Sequence, residues 1–119
     1  MLTLTRLGLA ALGIGGILLA GNADAAFLYW SKIQVKTGTE AKCMQLAAGV
    51  AGQNLQGVKK SPLEIAGTRN GVYVAITCVG RGGGQNAIGV IMAIGDNGQA
   101  TIGARDLIAD KLSKTQFID

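Results

Sequence analysis

The side chains able to do chemistry are few. There is no histidine, which removes Ser-His-Asp and Cys-His nucleophilic machinery and the commonest metal ligand together. The two cysteines, Cys43 and Cys78, stand 35 residues apart, without the close pairing that metal sites use. No metal and no cofactor is expected. Apart from Asp24, the carboxylates are Glu40, Glu64, Asp96, Asp106, Asp110 and Asp119. Glu40 suits a helix cap, Asp96 a turn, and Asp106 with Asp110 a solvated helix face. No spacing directs two of them to a shared substrate, as glycoside cleavage would require.

Two short motifs invite a chemical reading and fail it. The stretch "GRGGGQN" resembles a phosphate cradle, but such loops open into a helix whose N-terminus meets the anion. Here a strand pattern follows, so a hairpin connection is expected, with Arg81 as a weak anion contact at most. Lys36-Thr37-Gly38 echoes one element of penicillin-binding enzymes, yet the S-x-x-K nucleophile is missing and Thr39-x-x-Lys42 is a poor substitute. The chain is therefore expected not to be an enzyme. A small hydrolase using carboxylates or a lysine is the rival reading.

The first residues read as an address. The amino terminus and Arg6 supply positive charge, an uncharged apolar run follows from Leu7 to Ala20, and Ala23-Asp24-Ala25 has the small-x-small pattern of a signal-peptidase site. Residues 1–25 are expected to be a signal peptide of bacterial type, cut before Ala26, leaving a domain over 26–119. A spanning helix needs about 20 apolar residues, and this run has 14, interrupted by glycines. Retention as a membrane anchor, giving a tethered interaction domain, is the alternative. Export to the periplasm or medium makes a Cys43–Cys78 disulfide the expectation, because a domain this small gains from a covalent staple.

Charge narrows the partners. Of eleven Lys and Arg only Arg6 precedes the cut, and of seven Asp and Glu only Asp24 does, so the net charge stays at +4. The cations are scattered apart from Lys59-Lys60, unlike the dense patch of a nucleic-acid binder. No nucleic acid is expected. An envelope protein or a second copy of the chain is the expected partner.

Patterning supplies the elements that must position these groups. "FLYWSKIQVKTG" alternates, with Tyr29, Ser31, Ile33 and Val35 on one face and Trp30, Lys32, Gln34 and Lys36 on the other. A helix follows, capped by Thr37 with Glu40 or by Thr39, with Cys43, Ala47, Val50 and Ala51 in one stripe. "VKKSP" reads as a loop and "LEIAGT" as a short strand. Asn70-Gly71 signals a tight turn into the strand Val72–Val79, whose Val72, Val74, Ile76 and Cys78 share a face. "AIGVIMAI" reads as a further strand. Its bulky Ile88, Val90, Met92 and Ile94 are expected in the core, leaving Ala87, Gly89, Ala93 and Ile91 outside. A helix over Thr101–Lys114 buries Ala104, Leu107, Ile108 and Leu112, and "TQFID" supplies a short final strand.

These elements predict an α+β domain, a two-layer sandwich with an antiparallel sheet and two helices on one face, ferredoxin-like or a close variant. If Cys78 faces the helices, the opposite sheet face carries Trp30, Lys32 and Lys36 beside Tyr73 and Thr77, over a floor of small residues. Two aromatic side chains and two lysines on an open sheet suit binding. A small exported, disulfide-stabilised domain acting by non-catalytic binding is the function these residues imply.

Overall fold

The computed structural model describes residues 26–117. The expected signal peptide, and Asp119, lie outside the described residues. Seven elements follow in the order βαββββα: β1 (Phe27–Gln34), α1 (Glu40–Asn54), β2 (Gln56–Lys60), β3 (Ile65–Arg69), β4 (Val72–Val79), β5 (Ile88–Gly95) and α2 (Gly98–Lys114). The five strands form one sheet in the order β1-β5-β4-β3-β2, antiparallel at every pairing. Among the described residues no helix is long and apolar enough to cross a membrane.

The α+β, two-layer architecture follows the sequence pattern, while the element order differs from the βαββαβ of a ferredoxin-like fold. Here α2 comes after the last strand instead of linking two strands. The segment expected as a loop before Pro62 holds β2, and Thr115–Phe117 adds no final strand.

Local chemistry sets the boundaries. Thr39, not Thr37, caps α1: its backbone is extended and its hydroxyl accepts the Lys42 N–H at 3.2 Å. The Thr37 carbonyl instead accepts the Ala87 N–H at 2.7 Å, prolonging the β1–β5 pairing. Asn97 caps α2 by accepting the Ala100 N–H at 2.9 Å, so that helix starts three residues before Thr101. Lys111 and Lys114 occupy its last turn, where cations suit the helix dipole. Asn70 and Gly71 both take positive φ (50° and 79°), making the tight β3–β4 turn that their residue types favour.

The core lies between the helices and one sheet face. From α1 come Cys43, Leu46, Ala47, Val50 and Ala51, from α2 Ala104, Ile108 and Leu112, and from β4 Val72, Val74, Ile76 and Cys78. Leu107, expected with them, is half-buried. A disulfide joins Cys43 to Cys78, with Cα atoms 6.1 Å apart, and pins α1 to the central strand.

Strand β5 reverses the expected orientation. Gly89, Ile91 and Ala93 are buried against the helices, whereas Met92 and Ile94 are each 42% exposed on the other face and Ile88 and Val90 are half-buried there. Close approach of the helical layer is the cause. A β-carbon on Gly89 would stand 3.0 Å from Val35 Cγ2 and 3.1 Å from Leu112 Cδ2, and one on Gly95 would stand 2.5 Å from Thr101 Oγ1. There is no room beneath α2 for side chains at Gly89 and Gly95, so Ile91 is the one large residue on the inner side and Met92 and Ile94 turn outward. Because side chains alternate with period two, this choice fixes the whole strand.

Candidate binding face

The face opposite the helices is built in rows across the sheet. One row runs Leu28–Ile94–Tyr73–Thr68, from β1 through β5 and β4 to β3. The next runs Trp30–Met92–Ala75–Ala66 and reaches Lys59 on β2. A third joins Lys32, Val90 and Thr77, and a fourth Gln34, Ile88 and Val79. Leu28, Trp30, Tyr73, Val79, Met92 and Ile94 are all 42–60% exposed. Neighbouring strands lie about 4.8 Å apart, so these side chains form one continuous apolar surface.

The residues singled out in the sequence are distributed over this face. Trp30 and Lys32 are exposed on the edge strand β1, and Tyr73 is exposed on β4. Trp30 and Tyr73 do not meet, since Met92 and Ile94 of β5 stand between them in adjacent rows. Thr77 is half-buried, and its hydroxyl donates to the Leu63 carbonyl at 2.7 Å, which ties the β2–β3 connection to β4. Lys36 lies past the end of β1, exposed in the connection to α1. The expected floor of Ala87, Gly89 and Ala93 is absent because β5 presents its opposite side. Ala66 and Ala75 are the small residues of this face, only 7% and 5% exposed between taller neighbours.

Sequence reasoning missed Leu28, Met92 and Ile94, all exposed on this face. Ordinary bulk-goes-inside reasoning misplaced Met92 and Ile94. The signal that would have found them is the β4 pattern: once Cys78 faces the helices, its antiparallel partner Gly89 must face them too. Also unforeseen is a hollow of about 340 Å³ beside Tyr73, lined by Gly57, Lys59, Glu64, Ala66 and Thr68 among others.

The two sheet edges are blunted. At the outer strand β1, the Arg105 guanidinium donates to the Trp30 carbonyl at 3.4 Å, lies 5.8 Å from the Tyr29 ring and pairs with Asp106 at 2.7 Å. At the other edge β2 is five residues long, has irregular pairing between Gln56 and Lys59, and ends in two lysines. Short, bulged or charged edges resist strand addition.

The remaining polar groups are dispersed. Glu40 opens α1, Glu64 sits before β3, Asp106 pairs with Arg105, and Asp110 pairs with Lys114 at 2.8 Å. Among the described residues, four of the surface clefts are each lined by at most one carboxylate. Among the described residues no cluster of three His, Cys, Asp or Glu side chains is placed to hold a metal ion. Every residue of the loop Arg81–Asn86 is exposed, and the loop is closed by a bond from Arg81 Nε to the Asn86 carbonyl at 2.7 Å. Comparison with protein-family models, curated proteins and solved structures finds no match.

Proposed function

We propose that this chain is an exported domain, periplasmic or secreted, that acts by non-catalytic binding through the open face of its sheet. The observation that carries the reading is the contiguous apolar surface of Leu28, Trp30, Tyr73, Met92 and Ile94, each 42–60% exposed on a sheet braced by two helices. Soluble monomers rarely leave large continuous apolar patches uncovered, and such patches mark interaction sites. Lys32 and Lys59 stand at its margins, giving the apolar centre and polar rim of a protein interface. The Cys43–Cys78 bridge supports an oxidising compartment, and the export signal rests on residues 1–25 of the sequence.

Site-specific photo-crosslinking in the cells that make the protein tests the reading. A benzophenone side chain at Lys32, on the open face, is expected to give covalent protein adducts. The same group at Gln53, exposed on α1, is expected to give none. Absence of adducts from Lys32, or equal adducts from both positions, would overturn it. Intact mass of the accumulated protein tests export, with a chain beginning at Ala26 expected and a full-length membrane-bound chain opposing it.

A further inference from the structure

We infer that the occupant of the open face is a second copy of this chain, packed sheet against sheet about a two-fold axis parallel to the strands and midway between β4 and β5. This rests on the reading of that face as the binding surface and names its partner.

The face is self-complementary about that axis. Rotation places β1 over the second copy's β3 and β5 over its β4, so each row meets itself in reverse. In the second row Trp30 descends on the second copy's Ala66, and Met92 on its Ala75. The tallest side chain thus meets the hollow, and a long flexible one meets a small one. In the first row Ile94 meets the second copy's Tyr73, and in the fourth Ile88 meets its Val79. In the third, Val90 meets Thr77 and Lys32 comes over the position before Ile65. That position is Glu64, which lines the same hollow as Ala66, Thr68 and Tyr73. Bulk meets space, apolar meets apolar, and Lys32 meets the one carboxylate of the hollow, which Lys59 and Lys60 also line. A symmetric dimer needs this property of a single patch.

The size is adequate. Three strands of eight residues and one of five, spaced about 4.8 Å apart with a rise of about 3.4 Å, present roughly 500 Å² in projection per copy. Side-chain relief raises the accessible area further, so two copies reach the roughly 1,000 Å² total that a specific interface requires. Aligned sheets pack at about 30° to one another, and the twist keeps the rows facing near the axis. Edge-to-edge growth is opposed by Arg105 at β1 and by the bulge and lysines at β2. The face is the route left open.

Analytical ultracentrifugation of the protein as it accumulates in cells, from about 1 to 200 µM, tests self-association in the range expected of a small interface. A monomer–dimer equilibrium is expected. Trp30→Ala should abolish it. Lys32→Glu and Glu64→Lys should each weaken it about tenfold, since each sets like charges across the interface twice per dimer. The double variant, Lys32→Glu with Glu64→Lys, should recover wild-type affinity, a rescue that a folding defect would not show. A monomer throughout the range would overturn the inference, as would a dimer indifferent to Trp30→Ala or one that the double variant fails to restore. In those cases Lys32 adducts of a mass other than two chains would leave the binding reading standing. A monomer together with no Lys32 adducts would remove both.

Discussion

The orientation of β5 decides what the open face is made of, and two isoleucines three residues apart test it. Ile91 is fully buried, paired across the sheet with Ile76 of β4 and pressed under the helices, while Ile94 is 42% exposed. Replacing a buried isoleucine by alanine costs about 2–5 kcal/mol, the lost transfer energy plus a cavity the packed surroundings only partly fill. At Ile94 less than two-thirds of the side chain is covered, and truncation leaves an open notch that water fills. The loss there is about 1 kcal/mol. In a domain of this size each kcal/mol shifts the melting midpoint by about 4–8 °C. Ile91→Ala is therefore expected to lower Tm by about 10–20 °C or more, and Ile94→Ala by about 4–8 °C. Thermal unfolding followed by circular dichroism measures both, with the disulfide intact and the protein diluted to monomer so that Ile94 is not scored as an interface residue. A larger penalty at Ile94 than at Ile91 would mean that β5 faces the other way. The apolar patch, and every proposal built on it, would then fall.

Two further variants probe the same framework. Gly95→Ala is expected to cost about 1–3 kcal/mol by overpacking, because its β-carbon would stand 2.5 Å from the hydroxyl of fully buried Thr101. Denaturant titration in wild-type and Thr101→Ala backgrounds checks the cause, since the penalty should shrink when that hydroxyl is gone and an unchanged penalty would exclude it. Replacing both Cys43 and Cys78 by alanine opens a loop closed over 35 residues, worth about 4 kcal/mol in the chain-entropy model. Urea unfolding of oxidised wild type against this variant should show a loss of that order, and a difference below about 1 kcal/mol would show that the bridge is not a main support.

What could be read from the sequence divides along physical lines. The stripe of Cys43, Ala47, Val50 and Ala51 was legible because helical period and apolar type coincide, and all four are buried. The alternation in β1 and β4 was legible for the same reason. The pairing of Cys43 with Cys78 was legible because the sequence offers only these two cysteines and a domain this small gains from a covalent staple. Of the candidate face, Trp30, Lys32 and Tyr73 were found because they sit on those alternating strands. Strand β2 was not legible: "QGVKK" has no apolar alternation, and Gly57, with φ of +60°, lies in the stretch where its pairing shifts register. It is a strand because β3 offers it an edge, which is tertiary context. The choice between Thr37 and Thr39 as cap turned on where the β1–β5 pairing ends, since the Thr37 carbonyl accepts the Ala87 N–H.

The run "AIGVIMAIG" carries a deeper ambiguity, and its resolution bears on function. A strand covered by helices on one side and by water on the other ordinarily alternates apolar with polar, whereas a strand covered on both sides is apolar throughout. β5 is apolar throughout, yet within one copy only its Gly89–Ile91–Ala93 side is buried. Its neighbours follow a weaker version of the same rule. On the open side β4 offers Tyr73, Ala75, Thr77 and Val79, and β1 offers Leu28 and Trp30 before turning polar at Lys32 and Gln34. Apolar character is therefore greatest on the strand next to the proposed axis and gives way to charge at Lys32 and Lys59 on the sheet edges. Water alone would favour polar residues at every one of these outward positions. The gradient is what a sheet needs when its central strands are covered by another protein surface and its margins remain wet.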